Sequence, residues 1–304
     1  MNPPKYHGII PPMITPLRDR DTLDIAGLER LIEHILAGGV HGLFILGTTG
    51  EGPSLSYRLR RELIERTCRQ VAGRVPVLVG ITDTAFVESV NLARHSADVG
   101  ADAVVLAPPY YLPEAQPELQ EYLDHLVPEL PLPLFIYNMP ALTKVFFEQE
   151  TVHRAMDNPR IIGLKDSSGN MTYFHRAVGL LAHRPDWVIL MGPEELLADA
   201  VLAGGHGGVN GGANLAPRLY VDLFHAARAG DLPRVRELHA QVMRLSESIY
   251  RVGHHSSAII KGLKCALSLR GVCDDFMAEP FHRFRDAERA LLHERLTALD
   301  LPTA

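Results

Sequence analysis

Eight short apolar runs, each followed by a longer amphipathic stretch, constrain the fold of this chain more than any other sequence feature. Short apolar runs bounded by turn residues predict buried strands, and apolar residues at helical spacing predict helices. The predicted strands are residues 8–14, 42–46, 76–81, 103–107, 133–137, 161–165, 187–191 and 207–211. The predicted helices are residues 24–37, 56–72, 84–99, 117–127, 149–156, 172–182, 194–202 and 217–229. Eight such units indicate an α/β fold, a (β/α)8 TIM barrel with parallel strands inside and helices outside.

The barrel units are complete by about residue 230, and a helical segment follows. Helices are predicted over residues 232–250, 256–269 and 282–299, with Asp231 as a cap for the first. Gly271 and Pro280 separate the later helices. Because their apolar faces need covering, we expect residues 231–304 to pack as a C-terminal helical extension on a barrel formed by residues 1–230.

Composition excludes several classes of function. The chain has 304 residues, 46% of them hydrophobic and 22% charged, as in ordinary globular proteins. Its net charge of −6, with no basic block, argues against a nucleic-acid partner. There is no signal peptide pattern and no apolar run near the roughly 20 residues of a membrane span. Three cysteines without metal or disulfide spacing suit a reducing compartment, so we expect a cytoplasmic protein.

The fifteen histidines raise the question of a metal. Neither a His-x-His nor a His-Glu-x-x-His pattern occurs, although His254 and His255 are adjacent. We therefore expect scattered surface histidines and no metal site.

Residues 161–168 (IIGLKDSS) form an apolar run that ends on Lys165. An ammonium group is costly to desolvate there, so it must be paired or have a lowered pKa. A lysine with a lowered pKa is the usual amine nucleophile for a carbonyl substrate. The alternative is a lysine that reaches from the strand end into water. Of five lysines only Lys165 ends an apolar run, which favours the nucleophile; Lys261 and Lys264 are expected on a solvated helix face.

Other polar residues follow the ends of neighbouring strands, where the reacting groups of such barrels lie. Residues 47–52 (GTTGEG) offer glycines for close approach and two hydroxyls for a carboxylate, or form a simple glycine turn. Tyr137 ends the strand beside that of Lys165, about 4.8 Å away. Its phenol either transfers protons or fills the barrel, and the run alone does not separate these readings.

Two further loops each allow two interpretations. Residues 108–111 (PPYY) form a proline-stiffened loop with exposed aromatic rings, or an interface patch. The glycine-rich residues 204–212 either cradle a phosphate or leave room for a bulky substrate.

Three of these motifs together resemble the dihydrodipicolinate synthase / N-acetylneuraminate lyase family. They are residues 47–51 (GTTGE), 137–140 (YNMP) and 163–166 (GLKD), and the resemblance runs from about residue 8 to the C-terminal helices. It implies a (β/α)8 barrel with a helical extension, usually a homotetramer built as a dimer of dimers. It also implies a class I mechanism in which pyruvate or another 2-keto acid forms a Schiff base with a lysine, with no cofactor.

By position, the resemblance implies a role for each matching residue. Lys165 would form the Schiff base, and Tyr137 would be the general acid and base. Thr48 and Thr49 would bind the carboxylate of pyruvate, and one of them would relay protons. Tyr111 would complete that relay from the neighbouring subunit.

The same resemblance marks residues around the substrate. Gly47 would allow close approach of the ligand, Val209 would place its backbone near bound pyruvate, and Gly192 would leave space for substrate. Leu142 stands where dihydrodipicolinate synthases carry an arginine that holds the aldehyde substrate's carboxylate, a contact that an aliphatic chain cannot make. Asn210 is expected to offer a polar amide to the second substrate.

These features favour a pyruvate-dependent class I aldolase or lyase acting on a substrate like a 2-keto-3-deoxy sugar acid. Two enzymatic alternatives remain: 4-hydroxy-tetrahydrodipicolinate synthase, which condenses pyruvate with aspartate semialdehyde, and a dehydratase of keto-deoxy sugar acids. A non-catalytic sensor of 2-keto acids is a further alternative.

Overall fold

A computed structural model describes residues 4–299, and all eight predicted strands are present, mostly with shorter bounds. The strands are β1 Gly8–Ile9, β2 Leu17–Asp19, β3 Thr22–Leu23, β4 Leu43–Ile45, β5 Val77–Gly80, β6 Ala103–Leu106, β7 Leu134–Asn138, β8 Ile161–Asp166, β9 Val188–Met191 and β10 Gly207–Gly208. The helices are α1 Ile25–Ala37, α2 Tyr57–Val71, α3 Phe86–Asp98, α4 Gln116–Leu126, α5 Pro140–Thr143, α6 Gln149–Ala155, α7 Met171–Gly179, α8 Leu197–Leu202, α9 Pro217–Ala229, α10 Leu232–Tyr250, α11 Ala258–Leu269 and α12 Asp286–Ala298. None of these helices is long and apolar enough to cross a membrane.

Eight strands form one parallel sheet in the order β1-β10-β9-β8-β7-β6-β5-β4. Backbone hydrogen bonds also join the segments that contain the two edge strands. The His41 amide donates to the Ile9 carbonyl at 2.8 Å, and the Met13 amide donates to the Phe44 carbonyl at 2.8 Å. The curled sheet with helices outside it is TIM-barrel-like, and the carboxyl ends of its strands meet at one end.

Alternate residues of each strand face two different apolar layers. In β7, Phe135 and Tyr137 belong to the cluster inside the sheet, whereas Leu134 and Ile136 join the cluster between strands and helices. This is the period of two expected of a pleated strand that is buried on both faces. It places the side chain of Tyr137 inside the sheet.

Local capping sets where α9 ends and where α10 begins. The carboxylate of Asp231 accepts a hydrogen bond from the Arg234 amide, which confirms the predicted cap of α10. Gly230 adopts φ 69° at the end of α9, a left-handed conformation that favours glycine, and so separates α9 from α10.

The sequence does not predict the strands β2 and β3 or the short helix α5. The antiparallel hairpin of β2 and β3 is short and largely polar, so it lacks a strong strand pattern. The short helix α5 begins at Pro140, whose fixed φ suits a first helical position.

Helices α10 to α12 form the C-terminal extension. The larger apolar cluster includes Val242 and Leu245 of α10 together with Leu219 of α9. One hydrophobic core therefore continues from the barrel helices into the extension, while a domain boundary at residue 230 stays a prediction.

The expectation that Lys261 and Lys264 lie on a solvated face is wrong. Lys261 is 5% exposed and Lys264 is 0% exposed, because α11 is covered by other parts of the chain. The Lys264 ammonium forms an ion pair with Glu51 and donates to the Phe276 carbonyl at 2.7 Å. Two charged residues one turn apart indicate a solvated face only when no partner covers them.

Some histidines are grouped instead of scattered. The ring centroids of His7 and His41 are 5.0 Å apart, and those of His41 and His225 are 5.7 Å apart. Burial, followed by the neighbouring histidines, lowers the pKa of His41 to about 4. Among residues 4–299, no group of three or more histidine, cysteine or acidic side chains is arranged to hold a metal ion.

Candidate active site

Lys165 lies near the carboxyl end of β8, in register with Tyr137 of β7. It is 5% exposed, so it does not reach into water. Its Nζ lies 3.7 Å from the ring centroid of Tyr137 and 5.0 Å from that of Phe44. Within residues 4–299 no carboxylate lies within ion-pair distance of this amine, and the two ring faces supply cation–π attraction instead. The amine is therefore held in place without a carboxylate partner.

A cavity of about 490 Å³ opens above Lys165 at the carboxyl ends of the strands. Besides Lys165, six of the residues predicted for the site line it: Thr48, Thr49, Tyr137, Leu142, Gly192 and Val209. The cavity is large enough for a small keto acid and a second small molecule.

The phenol of Tyr137 is tuned by its neighbours. Its hydroxyl lies 3.4 Å from the Thr48 hydroxyl, and either group can donate. Burial acts to raise the pKa of Tyr137, but the charge of Lys165 acts in the opposite direction. Hydrogen bonds involving Ser167 and Thr48 add to the effect of Lys165, and the net result is a pKa below the ordinary 10.0. A phenol of this kind gives up its proton more readily than an isolated tyrosine.

The loop after β4 holds Thr48 and Thr49 in a compact turn. The Glu51 amide donates to the Thr48 carbonyl at 3.0 Å, and the Thr15 hydroxyl donates to the Gly50 carbonyl at 2.6 Å. Glu51 itself adopts φ 55°, an uncommon conformation for a residue with a side chain. Thr48 and Thr49 thereby line the cavity from a fixed loop.

Gly47 does not line the cavity. A Cβ at this position would overlap the ring of Phe44, the ring that lies beneath the Lys165 amine. Gly47 therefore supports the site through close packing with Phe44, not through the ligand contact expected from the sequence.

Gly192 and Ser167 are packed against each other at the cavity wall. A Cβ at Gly192 would overlap the Ser167 hydroxyl, so glycine makes the space that Ser167 occupies. Ser167 lines the cavity and lowers the pKa of Tyr137, a role that the sequence does not predict. Its position two residues after Lys165 was the available signal.

Asn210 does not present its amide to the cavity. It is fully buried, and its Nδ2 donates to the carbonyls of Met191 at 3.3 Å and Gly192 at 3.0 Å. Asn210 fixes the loop after β9 and its neighbour Val209 lines the cavity, while a contact of Asn210 with a second substrate stays a prediction.

Two glutamates after β9 were not assigned roles from the sequence. Glu194 lies at the cavity wall and accepts hydrogen bonds from the Tyr220 hydroxyl at 2.5 Å and the Gly212 amide at 2.7 Å. The Tyr250 hydroxyl, from the extension, donates to it at 3.0 Å. Burial raises the pKa of Glu194 to about 7. Glu195 also lines the cavity, and adjacent glutamates at a strand end were the signal for both.

The extension forms part of the cavity mouth. Its lining residues there are Tyr250, Ser256, Ser257, Ile259, Ile260 and Phe281. Leu142, 52% exposed, and Met139 lie on the barrel side of the same opening. No local pattern in the sequence predicted that the extension reaches the site.

Tyr111 is not brought to Lys165 within one chain. It is 82% exposed and lines a separate hollow of about 410 Å³ with Pro109 and Tyr122. A role for Tyr111 at this cavity requires a second copy of the chain.

The glycine-rich residues 204–212 serve mainly close packing. A Cβ at Gly207 would overlap the backbone of Gly8 on the neighbouring strand, and one at Gly212 would overlap the Tyr220 hydroxyl. In the part of the chain that the structure describes, Lys165 is the one basic side chain that lines the cavity. These contacts favour neither a phosphate cradle nor a large open space.

The fold and the site together define a TIM-barrel-like enzyme with a buried amine and a phenol at adjacent strand ends. Residues 5–299 match the Dihydrodipicolinate synthetase family, and the chain belongs to this family. Its members are pyruvate-dependent class I lyases and aldolases, and the chain is an enzyme of this type.

Individual relatives differ in their named reactions. One solved structure is that of dihydrodipicolinate synthase from Bacteroides thetaiotaomicron. Its sequence is 57% identical to this chain, the match covers 98% of this chain and 100% of that protein, and the TM-score is 0.95. The probable 2-dehydro-3-deoxy-D-pentonate aldolase YjhH of Escherichia coli is 32% identical over 95% of this chain and 97% of its own length. The structure of YagE, an Escherichia coli prophage protein, in complex with pyruvate is 29% identical, covers 98% and 99% of the two chains, and has a TM-score of 0.92.

Proposed function

We propose that this chain is a class I aldolase or lyase that forms a Schiff base between pyruvate and Lys165 and makes or breaks a carbon–carbon bond to a neutral hydroxyaldehyde. The product of the condensation, which is also the substrate of the cleavage, is a 2-keto-3-deoxy sugar acid. The observation that carries the proposal is the Lys165 amine, which lies without a carboxylate partner against the ring of Tyr137 in a substrate-sized cavity.

The chemistry begins with the amine of Lys165. It attacks the keto carbon, the hydroxyl formed there takes up a proton from solvent and leaves as water, and the resulting iminium ion withdraws electrons from the adjacent carbon. In the cleavage direction, Tyr137 removes the proton of the substrate's C4 hydroxyl, the C3–C4 bond breaks and an aldehyde leaves. The enamine that remains on Lys165 takes up a proton at C3, and water then releases pyruvate and restores the amine.

The threonine loop supports the placement of the keto acid. Thr48 and Thr49 offer hydroxyl donors to the carboxylate, and Thr48 links by its hydroxyl to Tyr137. The complex of YagE with pyruvate supports pyruvate as the keto acid.

The far end of the cavity bears on the second substrate. Leu142 and Ile259 are apolar, Ser256 and Ser257 are uncharged, and Glu195 is acidic, so within residues 4–299 this end offers no cation for a second carboxylate. A neutral hydroxyaldehyde suits it better than aspartate semialdehyde. The name of the relative YjhH, a probable pentonate aldolase, agrees with this choice.

The second candidate function is 4-hydroxy-tetrahydrodipicolinate synthase, favoured by the 57% identical structure from Bacteroides thetaiotaomicron. Pyruvate supplied with aspartate semialdehyde, glycolaldehyde or glyceraldehyde, each followed by product formation, separates the two. Turnover with aspartate semialdehyde alone would replace the first proposal with the second. A keto product formed from a keto-deoxy sugar acid without release of pyruvate would indicate a dehydratase.

The Schiff base is tested by reduction. Incubation with pyruvate and borohydride is expected to leave a stable adduct on the peptide that contains Lys165, detected by mass. The variant Lys165→Ala should carry no adduct, and its circular dichroism should confirm that it folds. An unmodified wild-type peptide would refute the proposal.

The proposal includes the assembly and the complete barrel. We infer a closed (β/α)8 barrel, supported by the hydrogen bonds between residues 9–13 and 41–44. We also infer a cytoplasmic homotetramer, a dimer of dimers that brings Tyr111 to a neighbouring cavity. The exposed side chains of Tyr111 and Leu112 support an interface there.

A further inference from the structure

A buried ion pair joins the threonine loop to the C-terminal extension. Glu51, in the loop after β4, is 4% exposed, and Lys264 of α11 is 0% exposed. The Glu51 Oε2 pairs with the Lys264 ammonium, while its Oε1 accepts a hydrogen bond from the Ala278 amide at 2.8 Å. Lys264 also donates to the Phe276 carbonyl. The side chains of Glu51 and Lys264 thus meet the backbone of Phe276 and Ala278 at this ion pair.

This contact lies one hydrogen bond from the residues that face the keto acid. The Glu51 amide donates to the Thr48 carbonyl at 3.0 Å, so a shift of Glu51 moves the backbone of Thr48. The Thr48 hydroxyl in turn lies 3.4 Å from that of Tyr137, the residue in register with Lys165. A path of direct contacts therefore leads from α11 to the reacting amine.

Stability alone does not explain a charged pair at this position. Well-packed apolar residues often replace a buried ion pair with no loss of stability, whereas a salt bridge fixes distance and direction. Lys264 has a second effect: Glu51 lines the cavity, and an uncompensated carboxylate there would repel the carboxylate of a keto acid.

We propose that Glu51 and Lys264 form a latch by which the C-terminal extension positions the Thr48–Thr49 loop for keto acid binding. Both are positioning residues, since neither is placed against the reacting atoms. The latch rests on the proposed function for its effect on pyruvate, but its effect on the loop is independent of the reaction.

The test compares Lys264→Met with Leu267→Ala, a control on the same helix. Leu267 is 0% exposed and belongs to the apolar core, so its truncation weakens the packing of α11 without touching the ion pair. Thermal unfolding measures the loss of stability in each variant. Hydrogen exchange of the peptide that covers residues 46–55 then reports the loop, and borohydride trapping at graded pyruvate concentrations gives the half-saturating concentration.

The latch predicts that Lys264→Met accelerates exchange in residues 46–55 well beyond Leu267→Ala when conditions are chosen to match their stabilities. It also predicts a half-saturating pyruvate concentration raised by about tenfold or more, as small displacements of binding groups produce, and nearly unchanged in Leu267→Ala. Equal exchange in the two variants would overturn the latch. If wild type forms no adduct, the proposed function fails, and the exchange comparison alone decides the latch.

A double variant guards against simple misfolding of Lys264→Met. Glu51→Gln combined with Lys264→Met removes both charges, so no buried charge is left unpaired and folding should recover. The latch predicts that this double variant still requires more pyruvate than wild type, because the salt bridge that fixes the loop is absent. Wild-type pyruvate saturation in the folded double variant would show that the pair is only structural.

Discussion

At the residue scale, the reactivity of Tyr137 depends on groups that lie beside its hydroxyl. The charge of Lys165 and the hydroxyls of Ser167 and Thr48 together outweigh burial and lower the pKa of Tyr137. A lowered pKa makes the phenolate available as a base at a lower pH than an isolated tyrosine would allow.

Tyr137→Phe should lower kcat by about 10² to 10⁴, the usual contribution of a positioned acid or base. The ring that supports the Lys165 amine remains in this variant, so borohydride trapping of pyruvate should be reduced much less than kcat. Steady-state kinetics and trapping on the same preparation measure the two effects. Equal loss of both would mean that the hydroxyl serves only to place the amine.

Thr48→Val keeps the shape of the side chain and removes its hydrogen bond to Tyr137. Because that bond lowers the pKa of Tyr137, its loss raises the pKa. The limb of the pH–rate profile on which Tyr137 becomes ionised should therefore move to higher pH. A profile that keeps its shape at a lower rate would assign Thr48 to carboxylate binding alone.

At the element scale, Glu194 connects the end of β9 to α9 and α10 through the hydroxyls of Tyr220 and Tyr250. Burial raises its pKa from 4.5 to about 7, so the folded protein retains a proton that the unfolded chain releases between these pH values. Stability from this group is present at low pH, falls as pH rises from 4.5 to about 7, and then stays constant. The change corresponds to about 3 kcal/mol.

Glu194→Gln should remove this component of the pH dependence. The amide carries no charge at any pH, so the variant's free energy of unfolding should vary less with pH across the window from 4.5 to about 7. Urea unfolding at pH 5, 6, 7 and 8 measures the difference between wild type and variant. If the difference in free energy of unfolding between wild type and variant stays constant across these pH values, groups other than Glu194 cause the pH dependence.

At the scale of the whole molecule, a single chain contains an exposed Tyr111 and a cavity that it does not reach. Assembly is the proposed link between them, since residues at the carboxyl ends of strands in one copy can complete the site of another. An isologous interface would supply each cavity with the partner's tyrosine.

Mixed assemblies of two inactive variants test this arrangement. Tyr111→Phe and Lys165→Ala, co-expressed with different tags, should recover about a quarter of wild-type activity, because one of two sites is complete in half of the random pairs. Lys165→Ala with Tyr137→Phe is the matched control and should recover nothing, since both residues lie in one cavity. No recovery in the first mixture would place Tyr111 outside the reaction.

The local sequence determined the order of strands and helices, and with it the place of Lys165 and Tyr137. A pleated strand buried on both faces and an amphipathic helix each leave a periodic pattern, and the residue that ends such a run can be read directly. Since parallel strands end together, the adjacency of Lys165 and Tyr137 followed from two runs of sequence. The family motifs at strand ends can be recognised in the sequence for the same reason.

Tertiary structure alone decided which distant residues meet. Lys264 looks solvated in its helix, yet Glu51 from a loop far away in the chain pairs with it in the core. Asn210 follows a strand, at a position typical of substrate-binding residues, but its Nδ2 donates hydrogen bonds to two backbone carbonyls. Ser256 and its neighbours reach the cavity mouth only because the extension folds back onto the barrel. Pairing and burial between segments remote in sequence leave no local periodicity, so they become visible only when the chain is folded.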